Sequence, residues 1–321
     1  MEQLTRAISV VVPVYNSRES LGALVERVAA ALEGLDYELV LVNDGSRDGS
    51  WEQIELLSRD EQRVHGIDLM RNYGQHNALL AGIRAARGEI VVTIDDDLQN
   101  PPEEIPKLLA ELEAGGADVV YGTAMDEHYG FLRGLATRLT KLALRGAVGN
   151  DVAGKVSAFR AFRTEIREAF ADYAGPHVSI DVLLSWGARG YGWVPVAHDA
   201  RGVGRSSYTF GRLATHALNV LTGFSTRPLR IASLVGLAFT FFGFAVLVLV
   251  LVSYAVRGGT VPGFAFLASM IAIFSGAQLL TLGIIGEYLA RMHMRMMDRP
   301  PYTIRHEAGA HVEEGVPTGA R

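Results

Sequence analysis

The chain of 321 residues contains no cysteine, which excludes disulfide bonds and thiolate metal sites. It also has no excess of positive charge, since its formal net charge is −5, and no nucleic-acid partner is expected on that ground. The amino terminus has no long apolar run after a basic region, so no signal peptide is expected. With 49% hydrophobic and 20% charged residues, the composition is that of a folded protein rather than a disordered one.

The region up to about residue 200 alternates strand-like apolar runs with amphipathic helical stretches. This order predicts βαβ units and a mainly parallel α/β sheet that is buried on both faces. The predicted strands are 8–14, 37–42, 64–69, 89–94 and 118–121, and the predicted helices lie near 19–33, 50–61, 76–86 and 102–114.

Charged residues are missing from two long stretches near the carboxyl end. Ile231–Val256 and Val261–Gly286 each run for 26 residues without a charged side chain. A helix of that length spans roughly 38 Å, which is more than the ~30 Å of a hydrocarbon core. We therefore predict two transmembrane helices, although a buried hairpin of a soluble protein is the alternative.

Arginines flank the two apolar stretches on their outer sides, whereas the turn between them holds only Arg257. The flanking arginines are Arg212, Arg227 and Arg230 before the first stretch, and Arg291, Arg295 and Arg299 after the second. The positive-inside rule then places both termini in the cytoplasm. Residues 209–226 are expected to form a helix along the membrane interface or a packed connector, and the polar tail after about Arg305 is expected to be disordered.

Polar residues follow four of the predicted strands, at 13–16 (PVYN), 43–46 (NDGS), 71–74 (RNYG) and 95–99 (DDDLQ). In open α/β sheets, ligands bind beyond the carboxyl ends of the strands. One such segment alone would be ordinary turn chemistry. Four of them at the same edge predict a binding site.

The run Asp95–Asp97 is the sharpest feature of this edge. Adjacent carboxylates repel each other, so a cation would stabilise them. In an extended chain Asp95 and Asp97 point to the same side, roughly 7 Å apart. Carboxylate oxygens suit Mg²⁺ or Mn²⁺, which also bind diphosphate oxygens. The alternative is a solvated acidic turn that caps the helix beginning near Pro101.

Two further residues of this edge are candidates for ligand binding. Asp44 can accept a hydrogen bond from a base or a ribose hydroxyl, or it can cap the helix that follows. Arg71 can meet a phosphate, or it can be an ordinary surface residue.

The segments Pro13–Asn16, Asn43–Ser46 and Asp95–Pro102 resemble those of family 2 glycosyltransferases. With the two apolar stretches, the resemblance covers about residues 7–299. It points to polyprenyl-phosphate glycosyltransferases, such as dolichol-phosphate mannose synthase and the bacterial enzymes that load glucose or aminosugars onto undecaprenyl phosphate. The resemblance implies a Rossmann-like nucleotide-sugar transferase domain followed by two transmembrane helices.

The domain boundaries expected from this resemblance are a cytosolic transferase domain over 1–208, a juxtamembrane segment over 209–230, transmembrane helices over 231–256 and 261–286, and a cytosolic tail over 287–321. The implied reaction moves a sugar from a nucleotide-sugar, preferably a UDP-sugar, to a polyprenyl phosphate. It would depend on Mg²⁺ or Mn²⁺ and invert the anomeric carbon. The implied location is the plasma membrane, with the catalytic domain in the cytoplasm, and relatives of this type form homo-oligomers.

The residues and the resemblance together predict the members of the site. Asp151 would orient the acceptor or act as a base, or it would be a helix cap or a partner of Lys155. Because the second pKa of a phosphate monoester is about 6, the acceptor is already mostly anionic and needs no strong base. The predicted nucleotide-binding residues are Pro13, Tyr15, Asn16, Asp44, Arg71, Asp95 and Asp96; the metal ligands are Asp95, Asp97 and Gln99; the acceptor-binding residues are Arg201, Arg205, Ser206 and Tyr208; and the catalytic residues are Asp97, Asp151, Arg201 and Arg205.

Three other classes of protein share part of this pattern. A processive polysaccharide synthase would carry a Gln-x-x-Arg-Trp motif and more apolar spans. An inactive membrane scaffold on the same fold would be expected to lose the acidic triplet, which is intact. A dinucleotide oxidoreductase needs Gly-x-Gly-x-x-Gly at the first strand–helix turn, where this chain has Val14–Ser17.

Overall fold

The computed structural model describes residues 7–124, 155–175, 178–199, 227–257, 263–297 and 299–309. Within these ranges, eight strands form one sheet. The strands are β1 (Ile8–Val14), β2 (Tyr37–Asn43), β3 (Val64–Leu69), β4 (Ile90–Thr93), β5 (Val119–Ala124), β6 (Arg160–Arg163), β7 (Tyr191–Val196) and β8 (Ile304–Ala308). Their order across the sheet is β7-β5-β6-β4-β1-β2-β3-β8.

The centre of the sheet is parallel, as predicted. Strand β1 pairs in parallel with β2 and with β4, and β2 pairs in parallel with β3. Strand β1 is buried along its whole length. Its alternate residues face two separate cores, with Val11 in one and Val10 and Val12 in the other. Both faces are therefore covered, and this explains why the strand sequences are almost continuously apolar.

Helices cover the two faces. Helices α1 (Arg18–Ala31), α2 (Ser50–Asp60) and α4 (Ile105–Glu113) contribute buried side chains to one core. Helices α3 (Gln75–Ala85) and α5 (Ile180–Gly187) contribute to the other. The four helices predicted from the sequence are confirmed, with the last preceded by a 3₁₀ turn at Pro102–Glu104. The predicted α/β class with a mainly parallel sheet is correct.

Three strands were not predicted. Strand β6 lies antiparallel between β4 and β5, β7 pairs in parallel with β5, and β8 is an antiparallel edge strand on β3. The prediction that the tail is disordered from about Arg305 is wrong for residues up to Ala308. Strand β8 is polar and mostly exposed, so its order comes from backbone pairing with β3 rather than from an apolar pattern.

Two long helices lie between β7 and β8 in sequence. Helix α6 spans Arg227–Arg257 and α7 spans Phe264–Met296. Each contains a candidate membrane span by length and composition, at Leu229–Ser253 and Ile273–Met296, with mean hydropathies of 2.8 and 1.3. Apart from Ala232, none of the described side chains in these two spans is buried within the chain, as expected for surfaces that face lipid. The interfacial segment predicted at 209–226 lies outside the described residues.

Candidate active site

The loops after β1, β2, β3 and β4 lie at one edge of the sheet because these four strands are parallel. The first contact between loops joins the loop after β1 to the acidic run after β4. The Tyr15 backbone N–H donates to Asp96 Oδ2 at 3.1 Å. Burial raises the pKa of the Asp96 carboxyl, while hydrogen bonds from the Ser17 hydroxyl and the Tyr15 N–H oppose that rise. Asp96 thus fastens the acidic loop to the loop after β1.

The carboxylates on either side of Asp96 make different contacts. Gln75 Nε2 donates to Asp95 Oδ1 at 2.7 Å, and the Gln99 backbone N–H donates to Asp97 Oδ1 at 3.1 Å. Leu98, between Asp97 and Gln99, has a φ of +58°, a left-handed conformation that is rare for a leucine. Such outliers persist only where the surroundings hold them, and they cluster at ligand sites.

The described residues offer a limited donor set for a divalent cation. Among them, no three His, Cys, Asp or Glu side chains form a group that could hold a metal ion. The predicted ligands Asp95 and Asp97 are both partly buried, and a cation held by them would need further ligands from substrate or water. Mg²⁺ is commonly held by one or two carboxylates together with substrate phosphate oxygens and water. Two carboxylates at this edge, with Gln99 beside them, fit that arrangement and do not fit a site built from protein ligands alone.

Asn16 connects the loop after β1 to the loop after β2. Its backbone N–H donates to Ser46 Oγ at 3.0 Å, and its Oδ1 accepts from the Arg47 backbone N–H at 2.9 Å. The residue has a φ of +54°, which asparagine tolerates better than most residues. The neighbouring Pro13 is buried opposite Val42, whereas the Tyr15 side chain is 49% exposed. Of the predicted nucleotide-binding residues in this loop, Tyr15 therefore offers the accessible ring.

Asp44 is buried and holds the loop after β3. Its carboxylate accepts from the backbone N–H groups of Tyr73 at 2.7 Å and Gly74 at 2.9 Å. These donors precede α3, so the alternative that Asp44 caps the helix after it, α2, is wrong. Burial raises the pKa of Asp44 to about 6, although the two backbone hydrogen bonds oppose the rise. Each oxygen keeps a lone pair for a further donor.

Arg71 is exposed, and its guanidinium lies 4.5 Å from the centre of the Tyr73 ring. This stacking holds the side chain at the carboxyl end of β3, near the loop that Asp44 supports. The predicted residues Asp151, Arg201, Arg205, Ser206 and Tyr208 lie outside the described residues, so their predicted roles rest on the sequence.

A buried polar cluster lies beneath the acidic run and was not assigned a role from the sequence. Arg160 Nη1 forms a short ion pair with Asp181, and the Tyr121 hydroxyl donates to the same carboxylate oxygen at 3.2 Å. Arg160 Nε donates to Thr93 Oγ1 at 3.1 Å. Thr93 is the last residue of β4, so the cluster supports the end of the strand that leads into the acidic run at Asp95. A charged side chain in a buried strand needs a buried partner. Arg160, beside apolar residues in β6, is therefore the sequence signal that could have revealed this cluster.

The close approach of two loops explains the glycine at position 45. Its φ is +67°, and a Cβ there would lie 2.5 Å from the Asn72 backbone nitrogen. We expect Gly45→Ala to push the loop containing Arg71 away and to destabilise the domain. Gly34→Ala is the matched control, because Gly34 has a φ of +80° and nothing within 4 Å of its Cβ position.

Gly34→Ala should lower the free energy of unfolding by about 1–2 kcal/mol, because alanine is strained in this backbone conformation. Gly45→Ala should lower it by at least ~1 kcal/mol more, because its Cβ would also overlap the neighbouring loop. Gly45→Ala should in addition weaken nucleotide binding. Urea unfolding and nucleotide titration of both variants measure the difference. Equal losses in the two variants would show that the two loops do not depend on this contact.

Comparison with known proteins gives consistent matches. The family model described as Glycosyl transferase family 2 matches residues 9–170. The chain is 37% identical over 313 residues to the undecaprenyl-phosphate 4-deoxy-4-formamido-L-arabinose transferase of Photorhabdus laumondii, covering 96% of each chain. It is 36% identical over 307 residues to the transferase of the same name from Proteus mirabilis, covering 94% of each chain.

Among solved structures, the fold is similar to glucosyl-3-phosphoglycerate synthase from Mycobacterium tuberculosis, crystallised with Mn²⁺, UDP and glucosyl-3-phosphoglycerate. The TM-score is 0.52 at 21% identity, over 68% of this chain and 78% of that one. This likeness supports the fold. The family match over half of the chain and the relatives that align along nearly all of it show that the chain belongs to glycosyl transferase family 2.

Proposed function

We propose that this chain transfers a sugar from a nucleotide-sugar, most simply a UDP-sugar, to a polyprenyl phosphate in the membrane. The observation that carries the proposal is the 37% identity, over 96% of each chain, to a protein named as an undecaprenyl-phosphate sugar transferase. The similarity extends past the sheet domain through both long apolar helices. A relative that shared only the nucleotide-binding half would align over a shorter stretch.

The edge formed by the loops after β1 to β4 is the proposed donor site. Asp44, Tyr15 and Arg71 are proposed to contact the nucleoside and its phosphates. Asp95 and Asp97, with Gln99, would hold Mg²⁺ or Mn²⁺ against the diphosphate. The cation would neutralise the charge that develops on the departing nucleotide.

In the proposed reaction an oxygen of the lipid phosphate attacks the anomeric carbon while the bond from that carbon to the nucleoside diphosphate breaks. Direct in-line attack inverts the anomeric configuration. The products are a polyprenyl-phosphate sugar and a nucleoside diphosphate. No proton needs to leave the attacking oxygen, because the acceptor is mostly anionic near neutral pH.

The remaining obstacle is repulsion between an anionic acceptor and an anionic donor. Arg201 and Arg205 are proposed to bind the acceptor phosphate, since guanidinium groups match phosphate oxygens in pairs. Ser206 and Tyr208 are proposed to contribute hydrogen bonds there, and Asp151 to orient the acceptor. Helices α6 and α7, with both termini on the cytoplasmic side of the plasma membrane, would hold the site at headgroup depth. We also propose a homo-oligomer.

A transfer assay tests the function. Full-length protein in detergent receives undecaprenyl phosphate, Mg²⁺ or Mn²⁺, and one of several labelled donors, including UDP-glucose, UDP-N-acetylglucosamine, GDP-mannose and UDP-linked 4-deoxy-4-formamido-L-arabinose. We expect label to enter the organic phase from one donor and only in the presence of undecaprenyl phosphate. Label that enters the organic phase equally well with unphosphorylated undecaprenol would contradict a phosphate acceptor.

The raised pKa of Asp44 predicts a pH dependence of nucleoside binding. If its carboxylate accepts from the base or ribose, binding needs the ionised form. With a pKa of about 6, the ionised fraction falls about tenfold between pH 7 and pH 5. Uridine is the suitable probe because it carries no phosphate that titrates in this range. We expect its affinity for the metal-free protein to fall by the same factor.

Asp44→Asn should bind uridine weakly and without this pH dependence, whereas Asp60→Asn, at the exposed end of α2, should behave as the unmodified protein. Equal pH profiles for Asp44→Asn and the unmodified protein would remove Asp44 from nucleoside recognition. The pH dependence of folding stability has the opposite direction to that of uridine binding. Because the pKa of Asp44 is raised in the folded protein, its contribution to the free energy of unfolding is fully present below the unfolded pKa of 3.8. That contribution is lost as the pH rises through the folded pKa of about 6.

A further inference from the structure

A cavity of about 470 Å³ lies where the end of α7 meets the loop after β3. One wall is formed by Arg71, Tyr73 and Asn77, and the opposite wall by α7 and the residues that follow it, including Arg291 and Arg299. The end of α7 is held against the sheet domain beside this cavity, since the Arg295 guanidinium lies 5.9 Å from the centre of the Tyr173 ring.

The charge of the cavity is positive. Of its described lining residues, Arg71, Arg291 and Arg299 carry positive charge, and Glu287 carries the opposing negative charge. Glu287 is paired with Arg291 at 2.6 Å along the helix. Arg71 stacks on Tyr73, and no carboxylate within the described ranges forms an ion pair with Arg71 or Arg299. Within the described residues, the cavity therefore presents two guanidinium groups, those of Arg71 and Arg299, that form no ion pair with a carboxylate.

The position of the cavity along α7 matches the depth of lipid headgroups. The uncharged run of the sequence ends at Gly286, and Arg291 lies five residues further along the helix, about 7.5 Å away, near the end of the candidate span Ile273–Met296. The headgroup layer of a bilayer is about 5–8 Å thick on each side. Ala290, Met294 and Pro300 also line the cavity, so apolar surface is available for the part of a lipid next to its phosphate.

We propose that this cavity binds the phosphate group of a membrane lipid, either an anionic phospholipid or the polyprenyl phosphate itself. Guanidinium groups pair with phosphate oxygens through two parallel hydrogen bonds. The site differs from the acceptor contacts proposed for Arg201 and Arg205. The proposal of this lipid site requires that α7 crosses the membrane, and it does not depend on which sugar is transferred.

A bound lipid phosphate would also touch the donor site. It would contact Arg71 and Tyr73, and the Tyr73 N–H donates to Asp44. Two residues further on, Gln75 donates to Asp95. Lipid binding would therefore fix the loop that carries contacts to both the proposed nucleoside site and the proposed metal site.

Native mass spectrometry of the full-length protein tests the proposal, with no nucleotide-sugar present. The protein in detergent is incubated with phosphatidylglycerol, with undecaprenyl phosphate or with inorganic phosphate, and the bound molecules are counted. We expect one phosphatidylglycerol per chain in the unmodified protein and at least a fivefold loss of that occupancy in Arg299→Gln, which identifies a general phospholipid site. If undecaprenyl phosphate binds where phosphatidylglycerol does not, the part of its occupancy that Arg299→Gln removes identifies a polyprenyl-phosphate site at the cavity, and the part that remains belongs to the acceptor contacts proposed for Arg201 and Arg205.

Arg230→Gln is the matched control, because Arg230 is an exposed arginine in the first turn of α6 and does not line the cavity. It should retain lipid as the unmodified protein does. If Arg299→Gln does not fold, Arg299→Lys keeps the charge and removes the paired hydrogen bonds, and it should show an intermediate loss. Equal lipid occupancy in the Arg299 variants and the control would overturn the proposal. Binding of inorganic phosphate by a protein that binds neither lipid would also overturn it.

Discussion

Asp97→Asn is expected to lower kcat about a thousandfold while the protein stays folded. Asp97 is one of the two carboxylates of the acidic run that we propose as metal ligands, and the described residues contain no group of three His, Cys, Asp or Glu side chains that could replace it. Loss of the charge would remove several kcal/mol of transition-state stabilisation, and about 4 kcal/mol corresponds to a thousandfold. Asparagine Oδ1 can still accept the Gln99 N–H that Asp97 accepts now, so the local turn should persist.

Steady-state transfer kinetics and metal-dependent nucleotide binding measure this effect. Asp60→Asn, on the exposed end of α2, changes the net charge by the same amount and should leave kcat within twofold. This experiment distinguishes a metal ligand from a residue that only shapes the turn. If Asp97 is a ligand, the variant should lose both its transfer activity and the dependence of nucleotide binding on Mg²⁺ or Mn²⁺. A kcat within tenfold of the unmodified protein, with an unchanged dependence on Mg²⁺ or Mn²⁺, would remove Asp97 from the metal site.

Asp181→Ala is expected to destabilise the sheet domain by about 3–5 kcal/mol, because it leaves the buried Arg160 without its partner. It also removes the acceptor of the Tyr121 hydroxyl. Tyr121 is fully buried, so no solvent replaces that hydrogen bond. The loss should reach the acidic run through Thr93, which accepts from Arg160.

Urea unfolding followed by tryptophan fluorescence suits this test, because all three tryptophans of the chain precede the apolar helices in sequence. Glu168→Ala is the control: that side chain is 75% exposed and lies 3.9 Å from Arg167, so its loss should cost less than about 1 kcal/mol. Replacing both partners with apolar residues, as Arg160→Met with Asp181→Leu, should recover much of the stability. A cost below 1 kcal/mol for Asp181→Ala would show that the ion pair does not support the strand.

The location of the candidate site, beyond the carboxyl ends of the parallel strands, could be predicted because it depends on local sequence patterns. Apolar runs indicate the central strands, parallel strands end at one edge, and polar residues such as Asp44 and Asp95 directly follow them. The partners of these residues depend on long-range packing. Asp44 contacts the loop before α3, which lies 29 residues further along the chain, and nothing in its own neighbourhood indicates that contact.

The same limit explains the elements that were missed. Strand β8 is polar, and it is ordered because β3 offers a free edge far away in sequence. The individual carboxylates of Asp95–Asp97 also differ in ways that spacing does not reveal. Asp96 accepts from the Tyr15 N–H on another loop, whereas Asp97 accepts from its own turn.

Identification of both reaction products tests the central proposal most directly. After a single turnover with the active donor and undecaprenyl phosphate, mass spectrometry and phosphorus NMR would define the lipid and the released nucleotide. We expect one nucleoside diphosphate to be released for each sugar transferred, and a lipid that carries one phosphate between the polyprenyl chain and the sugar. Release of a nucleoside monophosphate together with a lipid diphosphate would contradict it, since the bond broken would then lie between the two phosphates rather than at the anomeric carbon.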